Sequence, residues 1–190
     1  WYGQCPSCKE WNTLKEMSIS SSTTTNVPAW GQTSGSEGSK PVNIHNVEYS
    51  HTQRIDTMDM ELNRILGGGL VRGSLTLLGG EPGIGKSTLM LQLALRATGI
   101  RTLYVSGEES PQQIKMRAER IGVTNNECYI LSETCTDNIL SHVKDSNPDL
   151  VVIDSIQTLY TSSSDSAAGS VSQIRESTAL LMRYAKSSGI

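Results

Sequence analysis

Between Gly80 and Thr88 the chain reads "GEPGIGKST", and its flanks leave one kind of setting for it. Ahead stands a short apolar run, "SLTLLGG" (74–80), with strand character. Behind it, "KSTLMLQLALRATG" (86–99) has helical apolar spacing and closes on Gly99. A turn of this kind between strand and helix, with Gly80, Gly85, Lys86 and Ser87 at this spacing, wraps backbone amides around a phosphate. Glycine lets those amides turn inward without a Cβ in the way, and the helix N-terminus adds the positive end of its dipole. Lys86 reaches the β- and γ-phosphates, and Ser87 offers a hydroxyl to Mg2+. The candidate nucleotide-binding residues are Gly80, Glu81, Pro82, Gly83, Ile84, Gly85, Lys86, Ser87 and Thr88.

The pattern then alternates. A strand is expected at 101–106 and a helix at 110–122, with Ser110 as N-cap, Pro111 in the first turn, and Ile114, Ala118 and Ile121 on one face. A strand follows at 128–132, then a helix at 136–146 with Ile139, Leu140 and Val143 inward. The run "DLVVID" (149–154) is apolar enough to predict burial on both faces. A polar loop (160–169) leads into a long helix ending near Ser187. Strands and helices alternating in this way predict an α/β fold with a parallel sheet.

In such a sheet ligands bind outside the carboxyl ends of the strands. Asp154 ends its strand there and can hold Mg2+ through the ion's water shell. "YVSGEES" leaves a strand at the same edge, so Glu108 or Glu109 can polarise an attacking water. Only one can take that position, and Glu108 is the choice. The candidate catalytic residues are Lys86, Glu108 and Asp154, with Ser87 and Asp154 as Mg2+ ligands.

The N-terminal part is different. "CPSCKEW" places Cys5 and Cys8 two residues apart, as in half of a zinc site or in a redox pair. Residues 17–41 are rich in Ser, Thr and Gly and read as a flexible linker, in which Trp30 can serve as a docking residue. The expected organisation is a partial zinc-finger segment (1–16), the linker (17–41) and a C-terminally truncated core (42–190). Cys128 and Cys135 sit on or beside a strand and read as core residues. No apolar run is long enough to span a membrane, and a net charge of −3 gives no bulk pull on nucleic acid.

Taken together, "LNRILGGGLVRGSLTLLGGEPGIGKSTLMLQ", "YVSGEES", "LVVIDSIQTLY" and "GSVSQIRE", preceded by "CPSCKEWNT", resemble the RadA/Sms family of bacterial DNA-repair ATPases, which also has members in plant organelles. The resemblance covers nearly the whole chain outside the linker. It implies a RecA-like core in a hexameric ring that translocates on DNA and drives branch migration, working on single-stranded or branched DNA beside a RecA-type recombinase. The compartment it implies is the bacterial cytoplasm and nucleoid, or a plant mitochondrion or chloroplast. The family's Walker residues fall on Gly80, Gly85, Lys86, Ser87 and Asp154, and its catalytic Glu on Glu108. Its DNA-binding loop falls after Asp154, which makes Ser172, Gln173 and Arg175 candidate DNA contacts. Without the resemblance that stretch reads as a helix start with a solvated face.

The family's zinc site has an earlier Cys-x-x-Cys, so Cys5 and Cys8 would be its second half. The family also has a Lys-Asn-Arg-Phe-Gly motif and a protease-like C-terminal domain. The chain has no Phe, so the motif is absent, and the truncated core is expected to bind ATP and hydrolyse it weakly. Met58 and Arg72 stand where relatives often have Gly and Pro.

Two rival classes share the phosphate loop. A small-molecule kinase would need an acceptor pocket and a basic lid, and neither is evident. A non-catalytic RecA-like regulator, or a clock-type ATPase with the same "LGGGL" pattern, would use ATP without DNA-driven turnover.

Two thiolates cannot close a tetrahedral zinc site, and zinc binding energy is folding energy in such modules. The chain as it stands is expected to carry almost no zinc by elemental analysis. Stoichiometric metal would mean that Cys128, Cys135 or a histidine completes the site, or that two chains share it.

Overall fold

A computed structural model of the chain describes residues 41–47 and 54–190. The expectations for Cys5, Cys8 and residues 17–40 fall outside that range. The elements considered below belong to the unit His45–Ile190. In order they are α1 (Met60–Ile65), α2 (Lys86–Arg96), β1 (Thr102–Ser106), α3 (Pro111–Ile121), β2 (Cys128–Ser132), α4 (Thr136–Ser146), β3 (Leu150–Asp154), a 3-10 turn (Ile156–Thr158) and α5 (Val171–Ser188).

The three strands are parallel, in the order β2-β1-β3. β1 lies in the middle and is buried along its whole length. Its side chains alternate between two cores, as the pleat requires. Tyr104 joins Leu91, Ala94 and Leu95 of α2, Ile114 of α3 and Val152 of β3 on one face. Leu103 and Val105 join Ile139 and Val143 of α4, with Leu181 and Tyr184 of α5, on the other. The result is an α/β/α sandwich with α2 and α3 on one side and α4 and α5 on the other.

Local chemistry sets the helix ends. The Ser110 hydroxyl accepts from the Gln113 amide, and the Gln113 side chain accepts from the Ser110 amide, a reciprocal cap ahead of Pro111. α3 stops at Gly122 in the left-handed region (φ 73°). Ser170 caps α5 by accepting from the Gln173 amide. Cys128 packs against the first core, where burial pushes its thiol up to about 11, and Cys135 is buried.

Three expectations are corrected. Residues 74–80 form no strand: among the described residues they join no β-ladder, and Leu77 is 81% exposed. An apolar run signals burial, but a strand also needs a neighbour for its N–H and C=O groups. β3 meets a core on each face, but only Val152 is fully buried; Leu150 beside it and Val151 and Ile153 on the other face are half-buried, because the strand lies at the edge of the sheet. α2 ends at Arg96, where the Ala97 amide closes onto Leu93, and Gly99 (φ 80°) shapes the turn beyond.

Met58 and Arg72 also find their settings. Met58 adopts φ 55°, a conformation glycine reaches without a steric penalty. Arg72 forms an ion pair with Asp149 at 2.8 Å, just before β3.

Gly107 is needed for space. A Cβ there would overlap Thr158 Oγ1 and come within 2.9 Å of Thr134 Cγ2. Gly107→Ala is expected to cost about 1–3 kcal/mol through overpacking, read from the denaturant midpoint at unchanged m-value.

Candidate nucleotide-binding site

The chain path concentrates polar groups at one point. β1 continues into α3 on one face of the sheet, and β3 continues toward α5 on the other. Between their carboxyl ends lies the crevice that this connectivity leaves open. Ser106 of β1 stands in register with Asp154 of β3, and the Gly107 amide donates to the Asp154 carbonyl (3.1 Å).

α2 brings the phosphate loop to that crevice. Gly83 (φ 78°) and Gly85 (φ 101°) take left-handed conformations, and Gly85 is the helix N-cap. The Lys86 ammonium donates to the carbonyls of Gly80 and Glu81, both at 2.8 Å, which folds it back over the loop. Ile84 and Thr88 are exposed.

The Ser87 hydroxyl donates to Asp154 Oδ1 at 3.0 Å. Two hard oxygen donors at that separation suit Mg2+, whose site combines a hydroxyl, a carboxylate and waters. Asp154 Oδ2 accepts from the Tyr104 hydroxyl at 2.7 Å. Burial first, and this hydrogen bond second, push the Tyr104 phenol far above its ordinary range, so it stays protonated and donates.

The two glutamates of "SGEES" have different partners. Glu108 Oε1 accepts from the Ser155 hydroxyl at 2.9 Å, next to Asp154. Glu109 is ion-paired with Arg117 of α3, while its amide donates to Ser106 Oγ at 3.1 Å. Glu108 therefore has no cationic partner among these contacts, and Glu109 has one.

The candidate DNA contacts form a separate cluster where α5 begins. Ser172 and Arg175 are exposed. Gln173 corrects its expectation: it is 1% exposed and its amide is committed internally. Its Oε1 accepts from the Thr161 amide (2.9 Å), and its Nε2 donates to the carbonyls of Ser164 and Ser166, both at 2.9 Å. The helical period that exposes Ser172 and Arg175 turns Gln173 inward. Asp137 of α4 holds the other end of this loop by accepting from the amide and hydroxyl of Ser162, which keep its carboxyl below the usual range.

Sequence reasoning missed Tyr104, Arg117 and Ser155. Tyr104 is the one aromatic in the strand "TLYVS". Arg117 is a charge three positions from Ile114, at the margin of α3's apolar stripe. Both are readable as polar groups placed where the pattern calls for apolar ones.

Residues 41–183 match the AAA domain family, and residues 1–16 match a rubredoxin metal-binding domain. The DNA repair protein RadA of Bacillus subtilis is 48% identical over 192 residues, which cover all of this chain and 42% of that protein. RadA of Chlamydia trachomatis is 46% identical over 98% of this chain and 40% of its own length. RadA of Pseudomonas aeruginosa is 42% identical over the whole chain and 41% of its own length. The chain thus spans about two-fifths of the length of these relatives. A crystal structure of the RadB recombinase superposes with a TM-score of 0.52 and 27% identity, over 72% of this chain and 66% of the other.

Lys86→Ala is expected to weaken nucleotide binding about 10- to 100-fold, the worth of a charge-assisted hydrogen bond, with the melting temperature unchanged. Asp154→Asn is expected chiefly to weaken the Mg2+ dependence. Titration calorimetry with and without Mg2+ measures both, and equal affinity in Lys86→Ala and parent would remove Lys86 from the phosphate site.

Proposed function

The chain belongs to the AAA domain family, among its members of the RadA/Sms type, and from that premise we propose that it is the ATP-binding part of a DNA-repair motor. The observation that carries this reading is the 3.0 Å hydrogen bond between Ser87 and Asp154, which joins the phosphate loop to the end of β3. The fold relation to the RadB recombinase supports it.

The chemistry follows from the residues. The amides of residues 83–87 and the Lys86 ammonium hold the β- and γ-phosphates. Ser87 and Asp154 would hold Mg2+, which would supply positive charge beside the phosphates. Glu108, oriented by Ser155, polarises the attacking water. Arg175 and Ser172 bind the backbone of single-stranded or branched DNA. In the complete protein the RadA-type ring, taken as a hexamer, moves on DNA and drives branch migration beside a RecA-type recombinase. Cys5 and Cys8 supply two ligands of a zinc ribbon in the segment 1–16, joined by the linker 17–41 to the core 42–190. Likeness to bacterial relatives supports a setting in the bacterial cytoplasm and nucleoid, with a plant mitochondrion or chloroplast as the alternative. Among the described residues no helix is long and apolar enough to cross a membrane.

In the full-length protein, DNA-stimulated phosphate release without a small-molecule acceptor is expected. Glu108→Gln should lower turnover by at least about 100-fold while ATP still binds. Arg175→Ala should reduce the salt slope of DNA binding by about one unit for each DNA phosphate that the guanidinium neutralises. Phosphate transfer to a small acceptor would favour a kinase, and ATP binding without turnover would favour a regulator. Unchanged DNA affinity and salt slope in Arg175→Ala would make the start of α5 purely structural.

A further inference from the structure

Arg117 is the strongest unexplained feature in the described residues. It is a charged side chain, 12% exposed, on a helix whose other charged residues are exposed, and its buried Nε has no hydrogen-bond partner. Its Nη2 is ion-paired with Glu109, donates to the Tyr104 hydroxyl at 3.3 Å, and lies 3.9 Å from Asp154 Oδ2. The last distance is too long for a hydrogen bond, so the direct pull on Asp154 is Coulombic only.

The donor inventory fixes the direction of this chain. A guanidinium has no acceptor, so towards Arg117 the Tyr104 oxygen can only accept. Its single proton is left for Asp154 Oδ2, 2.7 Å away. Asp154 Oδ1 is thereby left to the Ser87 side, where the phosphate loop arrives. Glu109 is ion-paired with the same Nη2 and balances its charge. The three side chains come from the loop after β1, from the middle of β1 and from α3, and they meet the carboxylate through Oδ2 while α2's hydroxyl meets Oδ1.

We propose that Arg117 and Tyr104 are positioning residues for the metal-binding carboxylate of Asp154, with Arg117 acting through the Tyr104 hydroxyl and Glu109 serving as its counter-ion. This rests on the Mg2+–nucleotide reading of the site, and it assigns the adjacent glutamates different work: Glu108 faces the reacting group and Glu109 secures the brace. An outer partner of a metal-binding carboxylate typically changes metal affinity about 10- to 100-fold when removed.

The test uses the full-length protein and titrates Mg2+ at saturating ATP. Tyr104→Phe removes one oxygen and keeps the ring. It is expected to raise the half-saturating Mg2+ concentration about tenfold, with metal-free nucleotide affinity and melting temperature near parental values. Arg117→Lys keeps the charge but replaces the Nη2 that meets both Glu109 and Tyr104 with an ammonium of shorter reach, and should do the same. In the double variant the two effects should not add, because they remove one path. Additive effects would overturn the relay through Tyr104. A half-saturation within about twofold of parent in Tyr104→Phe would overturn the positioning role, and this variant decides it even where lysine at 117 fails to fold. If the parent itself shows no Mg2+-dependent nucleotide binding, the reading of the site fails and this inference fails with it.

Discussion

The pairing of β1 with β3 is the constraint on which the site rests. Their register sets Ser106 opposite Asp154, and the Gly107 amide adds one more bond to the Asp154 carbonyl before the strands diverge. Everything chemical is referred to that fixed end. Tyr104 reaches Asp154 because it lies two residues back on the neighbouring strand. Glu108 reaches Ser155 because Gly107 lets the chain pass close to Thr158. A slip of one residue would send Tyr104 to the other core and turn the carboxylate away from α2.

The sandwich holds this register without phenylalanine. The buried residues are mainly aliphatic, with Tyr104 the largest fully buried side chain. That choice gives the core a polar end that aliphatic residues cannot supply. Tyr104 fills space among Leu91, Ile114 and Val152 with its ring and presents its hydroxyl to the site. One side chain therefore serves packing and chemistry together.

Much of this is legible in the sequence for a physical reason. Helix faces, caps and the phosphate loop are local, with donors, acceptors and apolar positions a few residues apart. Thus Ser110 with Pro111, Ile114 with Ile121, and the start of α2 at Lys86 read correctly as elements. What misleads depends on partners distant in the chain. Residues 74–80 have the composition of a strand, but pairing is decided elsewhere. Gln173 reads as a surface amide until the loop 161–166 folds back onto it. Arg117 reads as a charge at the margin of α3's apolar stripe, but nothing local says that Tyr104 and Glu109 will meet it. Met58 stands out in the sequence only as a departure, and its left-handed backbone gives that departure a steric meaning.

The two halves of the site stand on unlike supports. The carboxylate half is carried by β1, whose amides are sandwiched between two ladders and covered on both faces, the setting in which exchange with solvent hydrogen is slowest. The phosphate half follows residues 74–80, which have no ladder and carry leucines open to water. Opening fluctuations should therefore concentrate on the loop side while the acidic side keeps its shape. A nucleotide joining the halves would slow exchange mainly along 74–87, so the ordering cost of binding falls on the segment where stability is lowest.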